Sequence, residues 1–293
     1  MSLVDQFQQC HLCDSSKIYP LTGYEQNYLV KCSSCHFVFC QRRPSENELK
    51  AHYSLYQRAN VISEITLKRY NVLLDELEPY RKMNNIIDVG CGDGFFLEAA
   101  RKRKWNVFGT EFTQEAIEVC LGKGIEMSAS PLGLRNYKAE FFDVITSFEV
   151  IEHINTPMDE IKAFSTILRK GGVVYITTPN FNSISRDILN SKWNMIEYPE
   201  HLSYFTTQTL SYLFRKSNFK RLEISTTGIS INRLRASSAK KSSDLSTINP
   251  DERLRQKTED SFVFKFLKTV INQILNITRK GDGIKALFEK NRE

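Results

Sequence analysis

Ile86-Ile-Asp88-Val-Gly90-Cys91-Gly92-Asp-Gly94-Phe-Phe-Leu97 decides the reading of this chain. An apolar run ends in glycines at alternate positions, and an amphipathic pattern begins directly behind them. That order predicts a buried parallel strand, a tight turn and the start of a helix. Glycine lets backbone pass close to a ligand, and a helix start offers unpaired N–H groups. The third glycine comes one residue too early for a dinucleotide G-x-G-x-x-G, and no Gly-Lys-Ser/Thr follows to hold phosphates. An acid, Asp88, stands two residues before the first glycine, which suits a cationic ligand better than a pyrophosphate.

Asp88-Val-Gly-Cys-Gly-Asp-Gly94 resembles motif I of the class I S-adenosylmethionine (SAM) methyltransferases. The resemblance implies an α/β fold: a Rossmann-like, doubly wound, seven-stranded sheet with an antiparallel last strand. It also implies SAM as cofactor, with contacts from Asp88, Gly90, Cys91, Gly92 and Gly94.

Downstream segments follow in workable order. Trp105-Asn-Val-Phe-Gly-Thr-Glu111 reads as the second strand, with its acid at the carboxyl end, where a doubly wound sheet binds ligands. A carboxylate there can take both ribose hydroxyls through its two oxygens. Phe112, Ser130, Phe148 and Glu149 complete the expected cofactor contacts. Many relatives carry an acid facing the adenine amine after the third strand; Ser128-Ala-Ser130 stands there instead, so a serine or a backbone group must substitute.

Phe141 to Phe148 reads as the fourth strand, followed by Glu149-Val-Ile-Glu152-His153. This resembles the E-x-x-E-H segment of ubiquinone-type O-methyltransferases and of methyltransferases from sugar and polysaccharide pathways. An imidazole just past that strand can take a hydroxyl proton. The ubiquinone-type resemblance also leaves Glu149, Glu152 and His153 open as ligands of a divalent cation. The Asn/Asp-Pro-Pro-Tyr/Phe clamp of adenine-methylating enzymes is absent from Ser147-Phe-Glu-Val150. Further on, Trp193 precedes Tyr198-Pro-Glu-His201-Leu-Ser-Tyr-Phe205, an order that looks like a subfamily common in glycan and secondary-metabolite clusters. The candidate catalytic residues are therefore His153, His201 and Glu152.

Before this core, Cys10-x-x-Cys13 and Cys32-x-x-Cys35 are separated by 18 residues. Four thiolates in that pattern suit tetrahedral Zn²⁺ in a zinc ribbon, a closed structural site. His11, His36 and Cys40 are its neighbours. The module is similar to the N-terminal module of certain sugar C-methyltransferases, although their C-terminal domain is not evident.

The chain divides into a ribbon over 1–41, a linker and helical lid over 42–84, a SAM-binding core over 85–232, an insertion over 233–280 and a last core strand over 281–293. Tyr53, Tyr56 and Tyr70 are lid candidates. In the insertion, Val263, Leu267, Val270, Ile274 and Ile277 fall on one helical stripe, broadened by Phe264, Ile271 and Leu275. Phe262–Ile277 is read as a helix packed on the domain or on a second subunit, a homodimer contact, or as an interfacial helix touching a membrane.

Of 293 residues, 41% are hydrophobic and 25% charged, ordinary for a globular protein. No apolar run approaches the ~18 residues of a membrane helix. The paired cysteines and the lack of a leader-like N-terminus predict a cytoplasmic protein, at most peripheral to a membrane. The net charge of +6 sits wholly in residues 233–293, which carry fourteen Lys and Arg against eight Asp and Glu. The neutral body argues against a broad nucleic-acid surface. The expected reaction is methyl transfer from SAM to a small molecule, with a sugar or glycan hydroxyl favoured. The rivals are a zinc-ribbon methyltransferase of ribosomal RNA bases and a non-catalytic SAM-binding interaction protein.

Overall fold

The computed structural model describes residues 6–53, 62–129, 137–229 and 262–292. Ser130, Tyr56 and the expected polar linker over 237–244 lie outside the described residues. The chain forms two compact units: Met1–Ser54, Thr178–Leu210 and Ser225–Lys285 make one, and Leu55–Thr177, Ser211–Ile224 and Ala286–Glu293 the other. They are called below the ribbon unit and the sheet unit.

The sheet unit begins with α2 (Glu64–Leu77), following α1 (Glu46–Tyr53) of the ribbon unit. Ser63 caps α2, its hydroxyl accepting from the Thr66 N–H at 3.2 Å, and Leu73, Leu74 and Leu77 form the buried face. Then come β4 (Asn85–Val89), α3 (Phe95–Lys102), β5 (Asn106–Glu111), α4 (Gln114–Gly122), β6 (Glu126–Ala129), β7 (Phe142–Phe148), α5 (Pro157–Ile167) and β8 (Leu168–Pro179). After the ribbon unit's α6 (Ile184–Leu189) and β9 (Ser203–Tyr204) follow α7 (Thr207–Lys216), β10 (Phe219–Thr227), α8 (Phe262–Thr278) and β11 (Gly283–Lys290).

The seven strands run in the order β10-β11-β8-β7-β4-β5-β6, and the pairs β6–β5, β5–β4, β4–β7 and β7–β8 are parallel. β11 is antiparallel to its neighbours. The N–H of Asn180, past the end of β8, donates to the Asp282 carbonyl just before β11, and the Lys290 ammonium at the far end reaches the Leu168 carbonyl where β8 begins. The last strand thus lies where the sequence places it. β8 starts at Leu168, with Gly171 in the left-handed region and a register shift against β7 between Phe142 and Val144.

β4 is buried along its whole length, as a central parallel strand must be. Leu73, Leu74, Leu77, Ile86, Phe96, Leu97, Trp105 and Val144 share one core. One buried acid fixes the approach to β4. Asp143 Oδ2 accepts from the backbone N–H groups of Lys82, Met83 and Asn84 at 3.0, 2.7 and 2.7 Å, while Oδ1 pairs with Arg169.

The ribbon unit holds a second, antiparallel sheet, β1 (Ile18–Pro20), β2 (Leu29–Cys32), β3 (Val38–Cys40) and β9, in that order. Its core joins Tyr24, Leu29, Val38 and Cys40 to Phe181, Trp193, Ile196, Leu202 and Tyr204. The cysteine module therefore shares a sheet and a core with residues 181–204 instead of closing on itself at residue 41.

Helix α8 belongs to the same unit. Its Asn276 and Asn272 side chains accept from the N–H groups of Thr226 and Gly228 at 3.1 and 3.0 Å, and Leu275 is buried. Those anchors turn the 272/275/276 face inward, so Ile271, Ile274 and Ile277 are left exposed, Ile277 to 81%. Of the stripe that the periodicity picks out, the packed face takes Leu275 and leaves Ile271, Ile274 and Ile277 outside. The side chains of residues 262–268, which complete that stripe, lie outside the description.

Candidate active site

The site is assembled at the carboxyl ends of β4, β5 and β7, all in the sheet unit. Gly90, Gly92 and Gly94 take φ of +69°, +52° and +73°, a region closed to most L-residues without cost. They differ in surroundings. A Cβ on Gly90 would come within 2.5 Å of Val150 Cγ2, and one on Gly94 within 2.5 Å of Ile125 Cδ1, whereas Gly92 faces open space. Two of the glycines are demanded by packing, and the middle one borders room for a ligand.

Glu111 closes the turn from across the strand gap. Its Oε2 accepts from the Gly92 N–H at 2.9 Å and its Oε1 from the Phe112 N–H at 2.7 Å. A carboxylate has about four acceptor sites, so two remain for a diol. Phe112 beside it, at the strand end, is 61% exposed. A ring in that place can lie against a purine.

Asp88 lies beneath the turn, 2% exposed, accepting from the Thr146 hydroxyl at 2.7 Å. Burial pushes its carboxyl up to about 8, against the lowering effect of that hydroxyl. Thr110 also serves the turn: its hydroxyl accepts from the Gly90 N–H at 3.3 Å and its carbonyl from the Cys91 N–H at 3.0 Å. Sequence reasoning missed Thr110 and Thr146, because a strand-end threonine carries no pattern of its own. The Cys91 side chain points away from the turn's open side. Its Sγ lies 3.8 Å from Cys120 Sγ, and a Cβ on Gly109 would stand 2.8 Å from it, so Cys91 offers a ligand its backbone only.

Past β7, Glu149 is exposed with φ +53°, a left-handed conformation at a strand end that commonly marks a functional turn. Its N–H donates to the Thr177 carbonyl at 3.1 Å. The 3₁₀ turn Ile151–His153 follows, with Glu152 buried and His153 half-buried. Phe148 packs on Phe96 and Tyr175, with ring centroids 5.1 and 5.8 Å away, and Tyr70 of α2 joins the cluster 5.4 Å from Phe96. Tyr70 is thus a packing residue. The side chain of Tyr53 lies outside the description.

His201 belongs to the ribbon unit. It is buried, with Nδ1 2.8 Å from the Met195 carbonyl, and its own carbonyl accepts from the Tyr204 hydroxyl at 3.0 Å. The structure thus gathers the glycine turn, Asp88, Glu111 and Phe112, and places Glu149, Glu152 and His153 after the neighbouring strand.

The four ribbon cysteines form two matching knuckles. Cys10 and Cys32 each accept, through their carbonyls, the N–H of the residue four on, Asp14 and His36, both left-handed at φ +58° and +62°. Their sulfurs accept from the N–H groups of Leu12 and Ser34 at 3.5 and 3.4 Å. Cys10 and Cys35 Sγ are 3.4 Å apart, Cys13 and Cys32 Sγ 3.6 Å, and all four sulfurs lie within 4.8 Å of one another. Zn–S bonds of about 2.3 Å in a tetrahedron put sulfurs about 3.8 Å apart, so the donor set fits Zn²⁺.

The sequence matches the family described as "Methyltransferase domain" over residues 57–224. Ubiquinone biosynthesis O-methyltransferases are among its relatives. That of Aeromonas salmonicida is 31% identical over 104 residues, covering 33% of this chain and 44% of the relative. That of Colwellia psychrerythraea is 34% identical over 103 residues, covering 32% and 42%. The chain thus spans less than half the length of these relatives. A SAM-dependent methyltransferase from Archaeoglobus fulgidus shares the fold, with a TM-score of 0.53 at 16% identity over 84% of this chain and all of that one. With the match covering more than half of its residues, and with a glycine turn, strand-end acids and sheet order of the kind just described, the chain belongs to the methyltransferase-domain family.

Proposed function

We propose that the protein transfers a methyl group from SAM to a hydroxyl of a small molecule, with a sugar or glycan as the favoured acceptor. The observation that carries this reading is the Glu111 carboxylate bound to the Gly92 N–H, with two acceptor sites left beside the exposed Phe112. That arrangement suits a nucleoside: ribose on the acid, purine on the ring. The relatives named for O-methylation support an oxygen acceptor. The cysteine module, similar to that of sugar C-methyltransferases, supports a sugar, and Zn²⁺ is its proposed structural metal.

Transfer from a sulfonium needs an in-line nucleophile held close, and most of the rate comes from that positioning. A hydroxyl acceptor must also lose its proton, for which His153 and His201 are the candidate bases, with Glu152 supporting the first. The test is release of S-adenosylhomocysteine from SAM across a panel of hydroxylated acceptors. At least one sugar or phenol should turn over, and His153→Ala or His201→Ala should slow it by about 10²–10⁴-fold without changing SAM affinity. Loss of neither activity, or no turnover with any acceptor, contradicts the reading.

We also propose that the exposed Ile271, Ile274 and Ile277 face of α8, with Arg279 at its end, meets an anionic membrane surface. No described helix is long and apolar enough to cross a membrane.

A further inference from the structure

The ribbon strands are very short. β1, β2, β3 and β9 hold 3, 4, 3 and 2 residues, too few for a sheet of that size to persist on hydrogen bonding alone. What joins them is a chain of direct contacts running from the cysteines to His201. Cys32 ends β2; β2 pairs with β3 from Leu29↔Cys40 to Lys31↔Val38; β3 pairs with β9 at Val38↔Tyr204 and Phe39↔Ser203. The Cys40 N–H donates to the Leu202 carbonyl at 2.8 Å, and the Phe181 N–H to the Phe205 carbonyl at 2.8 Å. Tyr204 then reaches the His201 carbonyl, and His201 the Met195 carbonyl. Trp193, 1% exposed, lies in the same core as Leu29 and Val38.

We infer that metal in the Cys10-Cys13-Cys32-Cys35 site holds the fold of residues 181–205, so that metal occupancy governs the order of the His201 segment without governing SAM binding. This rests on the proposed function and adds a task for the ribbon. Four thiolates brought together without a cation repel one another, and a structural zinc site returns its binding free energy as folding free energy. Here that free energy reaches β9 and Trp193 through backbone pairing and a shared core, while Asp88, the glycine turn and Glu111 draw on the separate core around Ile86 and Phe96. Val38, Phe39 and Cys40 are the positioning residues of this route.

The test uses the full chain, loaded with Zn²⁺ or stripped by a thiol reagent with chelator, and follows hydrogen exchange peptide by peptide. Stripping should remove protection across 193–205 together with 29–40. It should leave protection across 85–111 in place, and calorimetric affinity for S-adenosylhomocysteine within about twofold, since that ligand binds folded unit only. Fluorescence gives an independent readout, because the sequence has two tryptophans, one in each core. In a Trp105→Phe variant, Trp193 emission should shift to the red on stripping and return when Zn²⁺ is restored. Unchanged protection over 193–205 overturns the inference, as does loss of protection over 85–111 along with it. If the Zn²⁺-loaded protein fails to bind S-adenosylhomocysteine, the methyltransferase reading falls, and the exchange over 193–205 still decides this one.

Discussion

Asp88 shows how one residue ties stability to ligand chemistry. Its ordinary pKa of 3.8 rises to about 8 because burial disfavours the charge. The folded protein therefore keeps a proton that the unfolded chain gives up between those values, and stability falls as pH climbs from about 4 to about 8. Thermal denaturation of the ligand-free protein across that range should show the decline, and Asp88→Asn should flatten it; a parallel decline in the variant contradicts the assignment. The glycines make a second prediction. Gly90→Ala combines a left-handed φ with a methyl 2.5 Å from Val150 Cγ2, so it should destabilise the fold by about 2 kcal/mol or more. Gly92→Ala meets nothing within 4 Å, so it should cost about 1–2 kcal/mol in stability while its methyl intrudes on the ligand's space and weakens S-adenosylhomocysteine binding. Melting temperature and calorimetry separate the two effects. At this scale the glycines, Asp88 and Glu111 were legible, because a ligand turn needs those residue types at that spacing. Thr110, Thr146 and the side-chain direction of Cys91 were not, since they depend on which residues the sheet sets opposite one another.

At the scale of elements, local periodicity revealed what local forces decide. Helix α3, strand β4 and the alternating β11 follow their patterns closely. Two elements show the limit. β9 is a two-residue strand that exists only because Val38 and Phe39 are there to pair with it, and so short a run has no period to read. Helix α8 has a strong apolar stripe, yet Asn272 and Asn276, anchored to β10 and the residue after it, bury the neighbouring face instead. Two polar anchors decided its rotation, and hydrophobic periodicity could not register them. The isoleucines so exposed make the membrane proposal testable. Vesicles containing anionic lipid should carry the protein in flotation, and Ile274→Glu with Ile277→Glu should abolish it; binding unaffected by both removes the membrane surface, and a concentration-dependent rise in mass lost in the same variants would assign the face to a second copy.

For the whole molecule, the order of motifs foretold the doubly wound sheet, the inserted last strand and the Cys₄ knuckles. Its division did not follow the same lines. The cysteine module reads as a separate N-terminal domain because its signal is contained in residues 10–35, whereas its sheet and core draw on residues from 181 onward. Contacts across such sequence separations leave no local trace. The account as a whole depends on the sheet unit holding a nucleoside with Glu111. Titration calorimetry of the Zn²⁺-loaded protein with S-adenosylhomocysteine tests this most directly. One ligand should bind per chain, and Glu111→Gln should weaken it by about tenfold or more, the loss of charge-assisted hydrogen bonds to the ribose. Absence of heat and of any thermal shift with the metal-loaded protein, or equal affinity in Glu111→Gln, would contradict it.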